Sequence, residues 1–207
     1  MSARPYPAPA PPVDPTAFAA DPAARVLLCA VELCSIHYHY GHQPDKVVAN
    51  ALFADGAAAL VGGGGGPGWR VAATGSCLVP DSAKAMGWVV GDHGFEMSLS
   101  RKIPDLIARH LRPWLAGWLG DNGLSLAAVG SWAVHPGGPK IVAAVEEGLG
   151  LPADALAASK AVLADCGNMS SPTVLFILDR LRKAAAPRPC VMLGFGPGLV
   201  AEAVLWG

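Results

Sequence analysis

The chain has 207 residues, 52% of them hydrophobic and 15% charged, and its 15 Lys and Arg nearly balance 16 Asp and Glu, leaving a formal net charge of −1. That composition is too apolar for intrinsic disorder, is long enough for one sizeable core, and lacks the basic excess that phosphate neutralisation requires, which argues against nucleic acid as a partner. Mean hydropathy is +0.38, yet Gly, Pro or a charge interrupts each apolar stretch before the roughly 18 residues of a membrane span, so no membrane insertion is expected.

Six prolines fall between Pro5 and Pro15. Each removes a backbone donor and fixes φ, so residues 1–23 are expected to form a disordered tail ahead of a domain spanning 24–207. The tail has no apolar run of the kind that marks a secretory signal. After Arg25 the almost continuously apolar VLLCAVEL predicts a strand covered on both faces. Val47, Val48, Ala51 and Leu52 recur at helical spacing, predicting a helix over 45–53 that stops at Asp55-Gly56 before a small-residue strand, AAALVG. The glycine run at 62–68 lacks the Gly-Lys-Ser/Thr of a phosphate loop and leads into WRVAAT, so a hairpin connection is expected there.

Pro104 opens a helix whose stripe of Leu106, Ile107, Leu111, Trp114, Leu115 and Trp118 ends at Asp121-Asn122-Gly123, with a kink expected at Pro113. VGSWAV predicts a strand that delivers His135 at its end, and Pro139 then opens a helix carrying Ile141, Val142, Val145 and Leu149. An amphipathic stretch over 153–163 and a helix from Ser171-Pro172 towards Pro187 follow. Two apolar runs flanking GFGPG at 194–198 read as a closing hairpin. Strands interleaved with helices indicate an α/β sheet covered by helices, with an antiparallel component at the end. Five cysteines (Cys29, Cys34, Cys77, Cys166, Cys190) form no CxxC pair, which suits a reducing cytoplasm and suggests neither a disulfide framework nor a metal site.

Three glycine-containing loops hold the unusual polar residues: HPGGPK at 135–140, DCGNMSS at 165–171 and GFGPG at 194–198. A His at a strand's C-terminal end and an Asn in a loop that opens a helix stand where α/β folds build sites. Singly, each has a plainer reading, a structural hydrogen-bonder and a helix cap.

Taken together with LFADGAAAL, the PDS of 80–82, and VLFIL after GNMSS, these loops resemble the type III polyketide synthases of the chalcone and stilbene synthase kind over residues 24–207. Condensing enzymes of fatty-acid synthesis typically carry His-Gln-Ala-Asn where this chain has His135-Pro136-Gly137-Gly138, which selects the polyketide branch. The resemblance implies a thiolase fold, two similar α/β halves stacked as five layers, with this chain holding the C-terminal half and the last strands of the N-terminal half. It implies a Cys–His–Asn set in which His135 and Asn168 are the catalytic His and Asn. A thiolate would accept an acyl group from coenzyme A, and malonyl-CoA would be decarboxylated to supply the carbanion. Malonyl-CoA and acyl-CoA are thus the implied partners, with no further cofactor and no metal, and the family pairs as dimers. Tyr38, Trp88, Met97, Gly137, Gly138 and Phe195 are the implied substrate-binding positions.

One element of the family pattern is missing. The nucleophilic Cys belongs some twenty residues before VLLCAVEL, a position that falls near Arg4 among prolines, and no cysteine precedes Cys29. The expectation is a chain that is inactive alone, cut from a longer synthase. Three readings stay open: an acyltransferase dependent on a separate N-terminal half, a non-catalytic module that pairs with an intact synthase, and a degenerate fragment.

Overall fold

The computed structural model describes residues 23–38, 40–64, 68–92 and 94–207, so the proline-rich tail lies outside the described residues. In chain order these form β1 (Arg25–Glu32), a 3-10 turn (Cys34–His37), α1 (Pro44–Leu52), β2 (Gly56–Gly63), β3 (Val71–Leu78), β4 (Met86–Gly91) and β5 (Gly94–Leu99). Then come α2 (Ile103–Asp121), a 3-10 turn (Leu126–Ala128), β6 (Ser131–Val134), α3 (Pro139–Leu149), α4 (Ala157–Cys166), α5 (Ser171–Lys183), β7 (Cys190–Gly196) and β8 (Val200–Trp206).

The central sheet has the order β3-β8-β7-β6, with β6 parallel to β7 and the other pairs antiparallel. Alternation along its strands builds two cores, because successive side chains point to opposite faces. Trp132 and Val134 of β6, Val191 and Leu193 of β7, and Ala201, Ala203 and Leu205 of β8 face one side, where Ile107, Leu111, Leu115 and Leu119 of α2 and Val142, Val145 and Leu149 of α3 cover them. Ala133, Cys190, Met192, Val204 and Trp206 face the other side, against Val162 of α4 and Ile177 and Leu178 of α5. The far side of α5 carries the β1–β2 hairpin, which Ser171 Oγ anchors by donating to Glu32 Oε1 at 2.7 Å. The layers therefore run α2 and α3, central sheet, α4 and α5, hairpin.

Two expectations change here. β1 forms over the expected residues, but its side chains are largely exposed, with Leu27 at 63% and Val31 at 65%. Continuous apolarity reports that both faces are suited to burial, whereas within this chain α5 covers one face only. The glycine run likewise does not join a hairpin: β2 pairs with β1 from Arg25↔Gly63 to Glu32↔Gly56, while β3 pairs with β8. The chain crosses there from the hairpin layer to the central sheet. The β4–β5 hairpin was not anticipated, α2 passes through Pro113 as one helix, and α4 begins at Ala157 after turns at 153–156. No helix among the described residues is long and apolar enough to cross a membrane.

Candidate active site

His135 follows the last residue of β6 and extends its ladder by one bond, its N–H donating to Leu193 O at 2.8 Å. β6 is an edge strand, and an edge leaves backbone donors that burial would strand. α4 closes that edge: Val134 N–H donates to the Oγ of fully buried Ser159 at 3.1 Å. The imidazole is enclosed by protein on most sides while keeping an open edge. Burial pushes its pKa down from 6.5 to about 4, so at neutral pH the ring is uncharged and offers one N–H. The loop then tightens, Gly137 N–H donating to His135 O at 3.1 Å, and Gly138 O accepts from Ile141 and Val142 as α3 starts at Pro139.

Asn168 arrives from the opposite direction. α4 ends at Cys166, and Gly167 turns the chain at φ +74, where an added Cβ would sit 3.0 Å from Ala54 Cβ and 3.2 Å from Leu52 O. Only glycine takes that conformation without strain. Asn168 then forms a parallel bridge with Phe53, its N–H donating to Leu52 O at 2.8 Å and its O accepting from Ala54 N–H at 2.9 Å. The side chain is 3% exposed, and its orientation follows from its partners. Ser170 N–H needs an acceptor and finds Oδ1 at 2.9 Å, which turns Nδ2 towards Gly137 O at 3.5 Å. Ser170 adopts φ +57 to make that contact, a conformation that costs a non-glycine residue about 1–3 kcal/mol.

The two loops thus meet through Asn168 Nδ2 and Gly137 O, two residues after His135 and next to Gly138. Leu52–Ala54 lies against both, since Leu52 Cδ2 is the atom nearest Gly138. No site residue was expected in that segment, although the abrupt helix-to-strand break at Phe53-Ala54-Asp55-Gly56 was a signal that a short backbone ladder could form there.

The remaining expected positions fall elsewhere. Trp88 and Met97 are cross-strand partners in the β4–β5 hairpin, and Phe195 pairs with Ala201 at the end of β7. Tyr38 is 55% exposed and packs on Tyr40 at 5.2 Å. His37 is the ring that meets the hairpin, 5.7 Å from Trp88 and 5.2 Å from Phe95, with Nδ1 accepting from Phe95 N–H at 3.3 Å. Among the described residues no hydrogen bond or ring contact ties that corner to His135 or Asn168. A groove of about 390 Å³ between α3 and α4, lined by Pro139, Val142, Lys160, Leu163 and Ala164, holds none of the expected site residues.

Three of the cysteines are shifted away from activation. Burial pushes the Cys190 thiol up to about 11 and raises those of Cys34 and Cys77, the reverse of what a nucleophile needs. No group of three or more His, Cys, Asp or Glu among the described residues could hold a metal.

Residues 70–206 match the family model for chalcone and stilbene synthases, C-terminal domain. The chain is 42% identical over 193 residues to the 1,3,6,8-tetrahydroxynaphthalene synthase of Streptomyces peucetius subsp. caesius, covering 89% of this chain and 51% of that protein. It is 34% identical over 198 residues to an alpha-pyrone synthesis polyketide synthase-like protein of Mycobacterium tuberculosis, covering 90% and 50%. Among solved structures it superposes on PKS-I of the brown alga Ectocarpus siliculosus with a TM-score of 0.85 at 30% identity, covering 92% of this chain and 54% of that one. The C-terminal type III polyketide synthase domain of Steely1 from Dictyostelium gives a TM-score of 0.84 at 28% identity, covering 92% and 56%. The chain spans about half the length of the curated relatives it matches. With its thiolase-like fold and its paired HPGG and GNMSS loops, this chain belongs to the chalcone and stilbene synthase family of type III polyketide synthases and carries that family's C-terminal domain.

Proposed function

We propose that the chain serves the decarboxylative condensation of malonyl-CoA with an acyl-CoA starter, contributing His135 and Asn168 as charge-stabilising donors to a cysteine thiolate that lies outside these 207 residues. The supporting observation is the convergence of the two loops, with the Asn168 amide oriented by Ser170 N–H and lying 3.5 Å from Gly137 O, two residues after His135.

The chemistry asks for such donors. When malonyl-CoA loses its carboxylate, the C–C bond breaks, CO₂ leaves, and the electron pair passes into an enolate whose oxygen needs fixed N–H groups. The enolate carbon then attacks the acyl thioester, a C–C bond forms, and the thiolate departs from a tetrahedral intermediate whose oxyanion needs the same donors. Asn168 has a second Nδ2 hydrogen besides the one facing Gly137, and an amide donates without titrating. His135, neutral at pH 7, offers its N–H, and a neighbouring thiolate would draw a proton onto it. Removing one such donor typically slows a reaction by about 10²–10³. Coenzyme A thioesters are the substrates in this reading and no further cofactor is called for; assembly is as the dimer the family forms, in the cytoplasm.

The test has two arms. The chain alone, given malonyl-CoA and assorted acyl-CoA starters, should form no polyketide and no acyl adduct; an adduct on any of its five cysteines, required for product, would overturn the reading. Supplied with a cysteine-bearing N-terminal half as a second polypeptide, it should release acetyl-CoA from malonyl-CoA. In that complex Asn168→Ala should lower the release by about 10²–10³ while leaving the pH profile of iodoacetamide labelling of the cysteine in place, and His135→Ala should change both. An active complex that tolerated both substitutions would refute the assignment.

A further inference from the structure

The sequence singled out two motifs that the site above does not use, PDS at 80–82 and GFGPG at 194–198. In the fold they touch. Ser82 is one of the few buried polar residues, 2% exposed, and its Oγ lies 2.6 Å from Val79 O and 3.0 Å from Gly198 O. The first contact is the ordinary local bond of a serine in a turn. The second, which shares the single hydroxyl hydrogen with the first, spans 116 residues and reaches the turn between β7 and β8.

The backbone on either side makes the same connection. Val79 N–H donates to Leu199 O at 2.9 Å, so the chain leaves β3 still tied to that turn. Asp81 then reverses it at φ +54. Ser82 O accepts from Ala85 N–H at 2.7 Å, and Ala85 O accepts from Ser100 N–H at 2.8 Å, which closes the root of the β4–β5 hairpin. On the opposite side Gly198 sits at φ +119, where an added Cβ would lie 3.3 Å from Val200 Cγ2 and 3.4 Å from Leu78 Cδ1. Ser82 therefore stands where two separately folded pieces join. One is the hairpin that pairs Trp88 with Met97, and the other is the turn that follows Phe195.

We propose that Ser82 is a positioning residue that clamps the root of the β4–β5 hairpin to the GFGPG turn, so that Trp88, Met97 and Phe195 are set as one wall of the product cavity. This rests on the resemblance to the family, which implies Trp88, Met97 and Phe195 as substrate-binding positions, and on the proposed condensation, in which such positions meet the growing chain. Ser82 touches no substrate; it fixes the spacing between the two pieces that do. Without its hydroxyl the pieces stay joined through Val79 N–H and Leu199 O and through the β3–β8 ladder, but the hairpin root loses its side-chain tie to the turn and its spacing from that turn loosens.

Two measurements test this. On the chain itself, Ser82→Ala should speed amide exchange together at residues 79–85 and 198–201, by about tenfold for one lost hydrogen bond, and leave Val134 unchanged. Ser82→Cys, which keeps the size and a weak donor, should fall between, and it supplies the same comparison if the alanine variant does not fold. Faster exchange at 79–85 alone, or at neither segment, would overturn the clamp. In the complex with an N-terminal half, Ser82→Ala should broaden the ratio of shorter to longer products at saturating malonyl-CoA, a ratio that a lower folded fraction leaves unaltered. If Phe195→Ala and Trp88→Ala change that ratio and Ser82→Ala does not, the clamp is refuted. If none of the three changes it, the cavity reading fails instead, and the exchange data alone judge the clamp.

Discussion

Acid should unfold this protein through His135, and the size of the effect follows from its burial. The imidazole's pKa falls from 6.5 to about 4 on folding. Between those two values the unfolded chain binds a proton that the folded chain does not, so stability is complete above about pH 6.5, declines as pH falls, and loses nothing further from this group below about pH 4. At about 1.36 kcal/mol per pH unit, the loss across that window comes to about 3 kcal/mol, a large share of a typical domain's stability. Carboxylates titrate over the same range, so the comparison that isolates the histidine is with His135→Gln. Urea unfolding followed by tryptophan fluorescence, at pH 7.5 and at pH 4, should show the parent losing about 3 kcal/mol more than the variant. The ring's Hε1 resonance should titrate in the same low range. Parallel stability curves for the two proteins, or a resonance that titrates near pH 6.5, would refute the claim that the ring is buried uncharged. Bringing a thiolate alongside should move the resonance the other way, because an adjacent negative charge favours the imidazolium.

Ser159→Ala removes the acceptor for Val134 N–H inside the fold. It should cost about 1–3 kcal/mol in urea unfolding with the slope unchanged. Gly167→Ala forces a Cβ into contact with Ala54 and Leu52 O at φ +74; a loss of about 1–3 kcal/mol is expected, and Asn168 should become more accessible to exchange, whereas an unaffected loop would contradict the strain. The open face of the β1–β2 hairpin, with Leu27, Val31 and Val61 exposed, should make the chain self-associate when produced alone. Light scattering should show that Leu27→Lys with Val61→Glu reduces the association, and a parent that stays a monomer without binding an apolar dye would disprove it.

Much of the fold was legible because its signals are local. The stripe of α2 and the two apolar runs around GFGPG each repeat with a period that one element alone produces, and both elements formed where expected. The β4–β5 hairpin escaped because Val89 and Val90 stand adjacent and both exposed, so its residues never alternate between core and solvent. The glycine run departs from the expected hairpin for a different reason. Composition identifies a turn but not which strands it joins, and β2 and β3 chose partners on different layers. At the site, His135 and Asn168 stood out by position and motif. What holds them together did not, because Leu52–Ala54 meets Asn168 across more than a hundred residues, and the break at Phe53-Ala54-Asp55-Gly56 marks a place for a backbone ladder without naming its partner.

That backbone route bears on how the site divides between the two halves of a synthase. His135 is fixed by β7 and α4, and Asn168 by Leu52, Ala54 and Ser170, all within this chain. The Asn168 amide takes its direction from groups within this chain, and the His135 backbone is likewise anchored within it. In the proposed reading the Asn168 amide is therefore oriented before a thiolate arrives, the condition under which such donors contribute most to a rate. The β1–β2 hairpin is placed differently. Its inner face is held by α5 while its outer face is left apolar and open, so burying that face drives association without disturbing either loop. In the proposed reading assembly and electrostatic stabilisation fall on separate surfaces, so substitutions on the outer face of β1 should weaken self-association while leaving the Asn168–Gly137 contact, and the exchange protection of its neighbours, as they are.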